Sequence, residues 1–212
     1  MIFPKWSNRA AVAVLVVVPV ILVGVISVFA FYISPYNSQA GFAPRQPIPY
    51  SHKLHAGDLG IDCRYCHGNV ERSPVAMVPP TEVCMNCHEK ILPENPNILV
   101  VKESYVTGKP IPWERIHRLP QYVYFDHSIH VNSGIGCASC HGRIDHMDVV
   151  HQAKTLSMGW CLDCHRNPEK YLRPEDRITD MAWAAEDQAA LGLELREQKQ
   201  IHPTTDCSGC HR

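Results

Sequence analysis

The sequence predicts a mainly α-helical and irregular fold with little sheet: one membrane-spanning N-terminal helix, then a domain that side-chain packing alone cannot organise. Three observations lead there. From Ala10 to Ile33 run 24 residues without a charge, rich in Val, long enough to cross a bilayer core of about 30 Å. The chain beyond is polar and punctuated by Pro, so it offers little for a conventional core. Ten Cys and 13 His stand out as the material that must organise it. A composition 45% hydrophobic and 19% charged excludes wholesale disorder, and a net charge of −1 lacks the basic excess of a nucleic-acid binder.

Residues 1–9 form a short segment carrying Lys5 and Arg9, and the first basic residue beyond the apolar run is Arg45. The positive-inside rule therefore places the N-terminus in the cytoplasm and everything after Ile33 on the extracytoplasmic side. The apolar run, residues 10–33, exceeds the roughly 7–15 residues of a signal-peptide core, which favours a retained single-pass anchor in membrane lipid. Ser38-Gln39-Ala40 offers a weak signal-peptidase site as the alternative. Trp6 on one side and Phe29, Phe31, Tyr32 and Tyr36 on the other suit interfacial belts. Residues 34–49, with Pro35, Pro44, Pro47 and Pro49, read as an extended linker that lifts the following domain, residues 50–212, from the lipid.

All ten Cys fall in C-x-x-C-H motifs: Cys63/Cys66/His67, Cys84/Cys87/His88, Cys137/Cys140/His141, Cys161/Cys164/His165 and Cys207/Cys210/His211. Two thiols a short turn apart can add to the two vinyl groups of a haem while the adjacent His becomes the proximal iron ligand. Structural zinc uses C-x-x-C knuckles in pairs, which five knuckles cannot satisfy. Disulfides would leave five adjacent His unexplained. The expectation is five covalently attached c-type haems, which supply much of the core that the side chains do not.

The motifs sit in a repeat. Tyr50-Ser51-His52-Lys53-Leu54-His55 precedes Cys63 as Phe125-Asp126-His127-Ser128-Ile129-His130 precedes Cys137, each reading aromatic-x-His-x-x-His and each followed by two haem motifs. This marks two-haem units at about 50–92 and 122–168, with a fifth haem at 202–212. Two His three apart lie near one another on a helical turn, yet their rings diverge enough to serve different irons. The block resembles class III-type multihaem cytochromes. That resemblance implies that His52 serves the haem at Cys63/Cys66 and His127 that at Cys137/Cys140, while His55 and His130 cross to the haems at Cys84/Cys87 and Cys161/Cys164. A fifth distal ligand is needed, and His117, Met147 and Met158 are the candidates.

The stretch Tyr122 to His130, the run Leu156-Ser157-Met158-Gly159-Trp160-Cys161 to Arg166, the single N-terminal helix and the Asp206 to Arg212 end together resemble the pentahaem ActA subunits of alternative complex III. The resemblance implies an electron-transfer subunit of a quinol-oxidising respiratory or photosynthetic membrane complex, with no substrate site of its own. It also implies as partners a polytopic quinol-binding subunit, an iron-sulfur subunit, and a cytochrome c or small soluble redox acceptor. A stand-alone membrane-anchored multihaem quinol dehydrogenase is the alternative. Between the motifs, residues 95–120 read as a Pro-punctuated spacer with a short hairpin around Thr107-Gly108-Lys109-Pro110. Arg173 to Gln200 reads as one helix.

Overall fold

Helix formation in this chain is local and brief except at the N-terminus. The computed structural model describes residues 4, 6–33 and 38–211; Lys5, Pro35, Tyr36 and Arg212, which enter the reading above, lie outside them. The chain divides into two compact units, Met1–Ala40 and Gly41–Arg212.

In the first unit, α1 spans Trp6–Ile33 and contains Pro19. It starts one turn ahead of the apolar run, where the Ser7 amide and hydroxyl both donate to the Pro4 carbonyl, at 3.0 and 2.7 Å. Its apolar side chains are exposed from Trp6 to Tyr32. It is long and apolar enough to cross a membrane.

The second unit is built of short helices: α2 (Lys53–Asp58, π-helical), α3 (Cys63–Cys66), α4 (Thr81–His88), α5 (Pro96–Thr107), α6 (His127–Asn132), α7 (Cys137–His141), α8 (Met158–Arg166), α9 (Gln188–Gln198) and α10 (Cys207–Cys210). Sheet among the described residues amounts to two isolated antiparallel bridges, Val123 with His211 and Ile135 with Leu172. The apolar core is small. One cluster, Ile48, Met85 and Val101, is flanked by Cys84, Ile111 and Trp113 and joins α4 to α5. Residues 41–49, read as linker, belong to this unit: the Gly41 amide donates to Gln152 O at 2.8 Å, Gln46 exchanges hydrogen bonds with the Glu114 backbone, and Ile48 is 6% exposed.

Two expectations are corrected. The hairpin around Thr107 to Pro110 is absent; α5 fills its first half. Asn95 caps that helix by accepting from the Asn97 amide, Pro96 occupies its first turn, and Gly108 ends it in the left-handed region at φ +69°. The single helix from Arg173 to Gln200 is also replaced. Only α9 forms there, capped by Asp187, preceded by a 3-10 turn at Glu175–Arg177. The cause is tertiary. Arg173 is buried, its amide donates to Gly134 O at 2.9 Å, and its guanidinium donates to the Asp180 carbonyl at 2.9 Å while lying 5.1 Å from the Trp183 ring. The backbone there is thus committed to partners outside a helix. Gly136, just before Cys137, leaves the room that the Arg173 side chain occupies.

α9 docks on the turn Pro168–Lys170, with Gln188 Nε2 donating to Glu169 O at 2.9 Å and Leu172 O at 2.8 Å, and Arg196 paired to Glu169 at 3.0 Å. At the crossing Gly192 faces the Glu169 carbonyl, where a Cβ would overlap backbone. Gly192→Ala should therefore destabilise the domain by about 1–3 kcal/mol despite its better helix propensity. A thermal melt followed at the haem absorption band tests this, and an unchanged or raised Tm would refute the close packing.

Candidate haem-binding site

Each C-x-x-C-H forms one helical turn, so the two Cys share a face and the His follows beside them. Local capping sets several of these turns: Asp62 accepts from the Arg64 amide at the start of α3, and Ser157 from the Trp160 amide at the start of α8. Gly142, at φ +65°, turns the chain away directly after His141.

The repeated blocks share a local geometry. The Tyr50 ring meets His52 edge-on at 4.9 Å and 85° and stacks on His55 at 4.4 Å and 22°. Phe125 meets His127 edge-on at 4.8 Å and 86° and stacks on His130 at 4.7 Å and 29°. The aromatic ring thus holds both imidazoles of its pair in divergent directions. Sequence reasoning noted the shared aromatic position without assigning it this task.

Three imidazole pairs face one another. His55 lies 6.2 Å from His88, His130 lies 6.1 Å from His165, and His127 lies 6.4 Å from His141, the last pair within 10° of parallel. Two imidazoles on one metal, each at about 2 Å through nitrogen, have ring centres roughly 6 Å apart. Six imidazoles donate through Nδ1 to backbone carbonyls: His55 to Ser51 (2.8 Å), His67 to Met77 (2.6 Å), His88 to Ile91 (3.0 Å), His127 to Pro74 (2.8 Å), His130 to Asp126 (2.7 Å) and His165 to Thr204 (2.6 Å). A carbonyl can only accept, so Nδ1 carries the proton and Nε2 presents its lone pair, the arrangement found around metal-bound His. The carbonyls of Pro74, Met77, Ile91 and Thr204 are functional groups that no sequence motif announces.

The remaining candidates are placed as follows. His52 Nδ1, His141 Nδ1 and His117 Nε2 are buried without a hydrogen-bond partner. Burial first, then neighbouring imidazoles, lowers His141 to about 3 and His52 to about 4, with His67 the imidazole that acts most strongly on His52. Both are therefore neutral, the ligating form. His117 sits edge-on to His141 at 4.5 Å, too close for the two to oppose each other across one iron, and is gathered with His127 and His141. Met147 is buried beside Gly142. Met158 is exposed in the first turn of α8, the helix whose Cys161 neighbours Cys210. His211 lies 5.8 Å from the Tyr122 ring. His146, outside the candidate set, joins a surface group with Arg143 and Asp145.

These donors suit haem and not structural zinc. Among the described residues no three His, Cys, Asp or Glu side chains converge closely enough to hold a bare ion, whereas zinc needs four ligands at one point. The donors come instead as opposed pairs, one member of each pair beside two thiols, so that a single pair would serve the two faces of a flat macrocycle. Comparisons with known proteins agree. The family described as "Cytochrome c7 and related cytochrome c" matches residues 123–212. The chain is also 32% identical over 145 residues to the "Menaquinone reductase, multiheme cytochrome c subunit" of Nitratidesulfovibrio vulgaris, an alignment covering 58% of this chain and 68% of that relative. The chain belongs to the multihaem c-type cytochromes. As a multihaem cytochrome c it carries covalently bound c-type haem with its iron, its cysteines have the C-x-x-C-H spacing of such attachment, and its domain is largely helical and irregular with almost no sheet.

In this cytochrome, Tyr50 and Phe125 make the same ring contacts, so the hydroxyl of Tyr50 is not what the contact needs. Tyr50→Phe should therefore be near neutral, while Tyr50→Ala should cost about 1–3 kcal/mol and broaden the low-spin ferric EPR signals of haems that His52 and His55 are expected to ligate. An Ala variant with unchanged EPR line shape and Tm would remove the ring's orienting role.

Proposed function

We propose that this multihaem cytochrome carries five c-type haems and is the membrane-anchored electron-transfer subunit of a quinol-oxidising complex of the alternative complex III type. The observation that supports it most is the set of three opposed imidazole pairs near 6 Å, each joining a motif His to a His of a repeated block. On this reading His67, His88, His141, His165 and His211 are proximal ligands. His55, His127 and His130 are the distal partners of His88, His141 and His165, and His52 serves His67. Met158, on the helix beside the fifth motif, completes the site at His211.

Bound haem supplies one-electron ferric/ferrous chemistry whose potential depends on the axial ligand and its surroundings. Two side chains from this chain would ligate each iron, leaving no position there for a substrate. Carbonyls bonded to Nδ1 keep the rings oriented and raise ligand basicity. Met in place of His at the fifth site raises the potential there. α1 anchors the chain, with the haem domain on the extracytoplasmic side. Partner subunits provide the quinol site and iron-sulfur centres, and a cytochrome c or small soluble carrier exchanges electrons with the haem chain.

A second reading differs only in direction. The relative named as a menaquinone reductase subunit supports a complex that feeds electrons into the quinone pool; outer-sphere relays conduct either way, and the potentials of the partners decide.

The mass of the mature polypeptide should correspond to five attached haems, and reduced wild-type protein should bind almost no carbon monoxide. His130→Ala should open one iron and bind one equivalent. Fewer than five haems, or stoichiometric binding by wild type, would refute the closed-relay reading. Gentle solubilisation should recover the chain with a polytopic partner and an iron-sulfur partner; recovery alone and active with quinol would favour a stand-alone dehydrogenase.

A further inference from the structure

The motifs do not follow one another in space as they do in sequence. The first meets the second: Asn86 Nδ2 donates to the Tyr65 hydroxyl at 3.1 Å, and His55, from the block ahead of the first motif, faces His88 of the second. The first also meets the third. Thr179 donates to Asp62, the cap of α3, at 2.9 Å, and the neighbouring Ile178 carbonyl accepts from the Cys137 amide at 3.1 Å. The Cys63 and Cys137 side chains also lie beside each other. The third and fourth motifs are joined by α6, whose His127 faces His141 and whose His130 faces His165. The fourth and fifth are joined by Thr204. Its carbonyl holds His165 at 2.6 Å, and its side chain packs on Gly209, where a Cβ would come within 2.6 Å.

From motif turn to motif turn these contacts trace a line with two ends; the fifth motif also meets the segment leading into α6, through the Val123–His211 bridge and the Tyr124 amide, which donates to Cys210 O at 2.8 Å. The ends hold Cys87 and Cys207, which are the two exposed cysteines; the other eight are shielded to an intermediate degree. The line also reverses the first two motifs relative to the sequence, because His55 reaches across to the second motif.

We propose that electrons enter and leave this chain at the Cys84/Cys87 and Cys207/Cys210 sites, with those at Cys63/Cys66, Cys137/Cys140 and Cys161/Cys164 as internal relays in that order. The proposal rests on the five-haem reading above. Each step moves one electron, one site being oxidised as its neighbour is reduced, and no bond forms or breaks. The partners it fits are redox proteins that dock around Glu89 and Lys90 at one end and Asp206 at the other, all three exposed.

The order is tested on mature protein lacking one haem through paired Cys→Ser substitution, with EPR-monitored potentiometric titration of the remaining four. Loss of the site at Cys84/Cys87 or Cys207/Cys210 should shift one remaining midpoint, and loss of any internal site should shift two. An end deletion that shifts two, or an internal deletion that shifts one, overturns the order. A second measurement needs no haem deletion. Glu89→Lys and Asp206→Lys should each speed oxidation of the reduced protein by hexacyanoferrate(III) about two- to five-fold at low salt. The gain should vanish near 0.5 M salt, where screening shortens to a few ångström. Glu197→Lys, an exposed change on α9, should leave the rate unchanged. Equal acceleration at all three positions, or none at the first two, overturns the ports. A wild-type protein with fewer than five haems would instead overturn the reading beneath the proposal.

Discussion

The constraint on which the rest of this structure depends is the imidazole whose Nδ1 proton is held by a backbone carbonyl. A neutral imidazole offers two nitrogens, and tying one to a carbonyl leaves the other, with a fixed ring plane, to face outward. Six imidazoles are held in this way, and three pairs then oppose one another near 6 Å. Pairs such as His55 with His88 and His130 with His165 bring together segments more than thirty residues apart in the chain. With so few fully buried side chains, Leu172, Gln152 and Pro168 being the largest, crosslinks through metal and thioether are a physically sufficient substitute for a large apolar core.

The duplicated blocks are not independent modules. The loop after the first motif supplies Met77 O to His67 of its own repeat and Pro74 O to His127 of the other. Met77 adopts φ +66°, a conformation uncommon for a residue with a side chain, and Asn69 Nδ2 reaches its sulfur at 3.4 Å. In the other direction, the segment after the third motif receives the first block: the Lys53 amide donates to Met147 O at 3.1 Å and Ser51 Oγ to Asp148 at 2.8 Å. Each repeat therefore orders part of the other's ligand set, which makes cooperative assembly the physical expectation.

Several determinants of the site act through backbone atoms or through distant small residues. Gly136 makes room for Arg173, which in turn fastens the chain behind the third motif. Gly209 makes room for Thr204, which holds His165. Neither glycine nor carbonyl carries chemistry of its own; each acts by allowing or making a contact that sets an imidazole or a thiol pair in place.

What the sequence determined by itself is whatever depends on neighbours within a turn or two. The five C-x-x-C-H turns, the repeated aromatic-His-His blocks and the long apolar helix are of this kind, because periodicity and spacing over a few residues decide which side chains share a face. The signals for α5 are equally local, Asn95 and Pro96 at one end and Gly108 at the other, although Gly108 suits a turn as well as a helix end. Tertiary structure alone decided the fate of Arg173 to Asp187, where contacts with Gly134 and Asp180 outweigh helical propensity. It also decided which carbonyl holds each imidazole, where residues 41–49 pack, and the order of the motifs in space. Those outcomes depend on which distant segments meet, and spacing along the chain does not encode that.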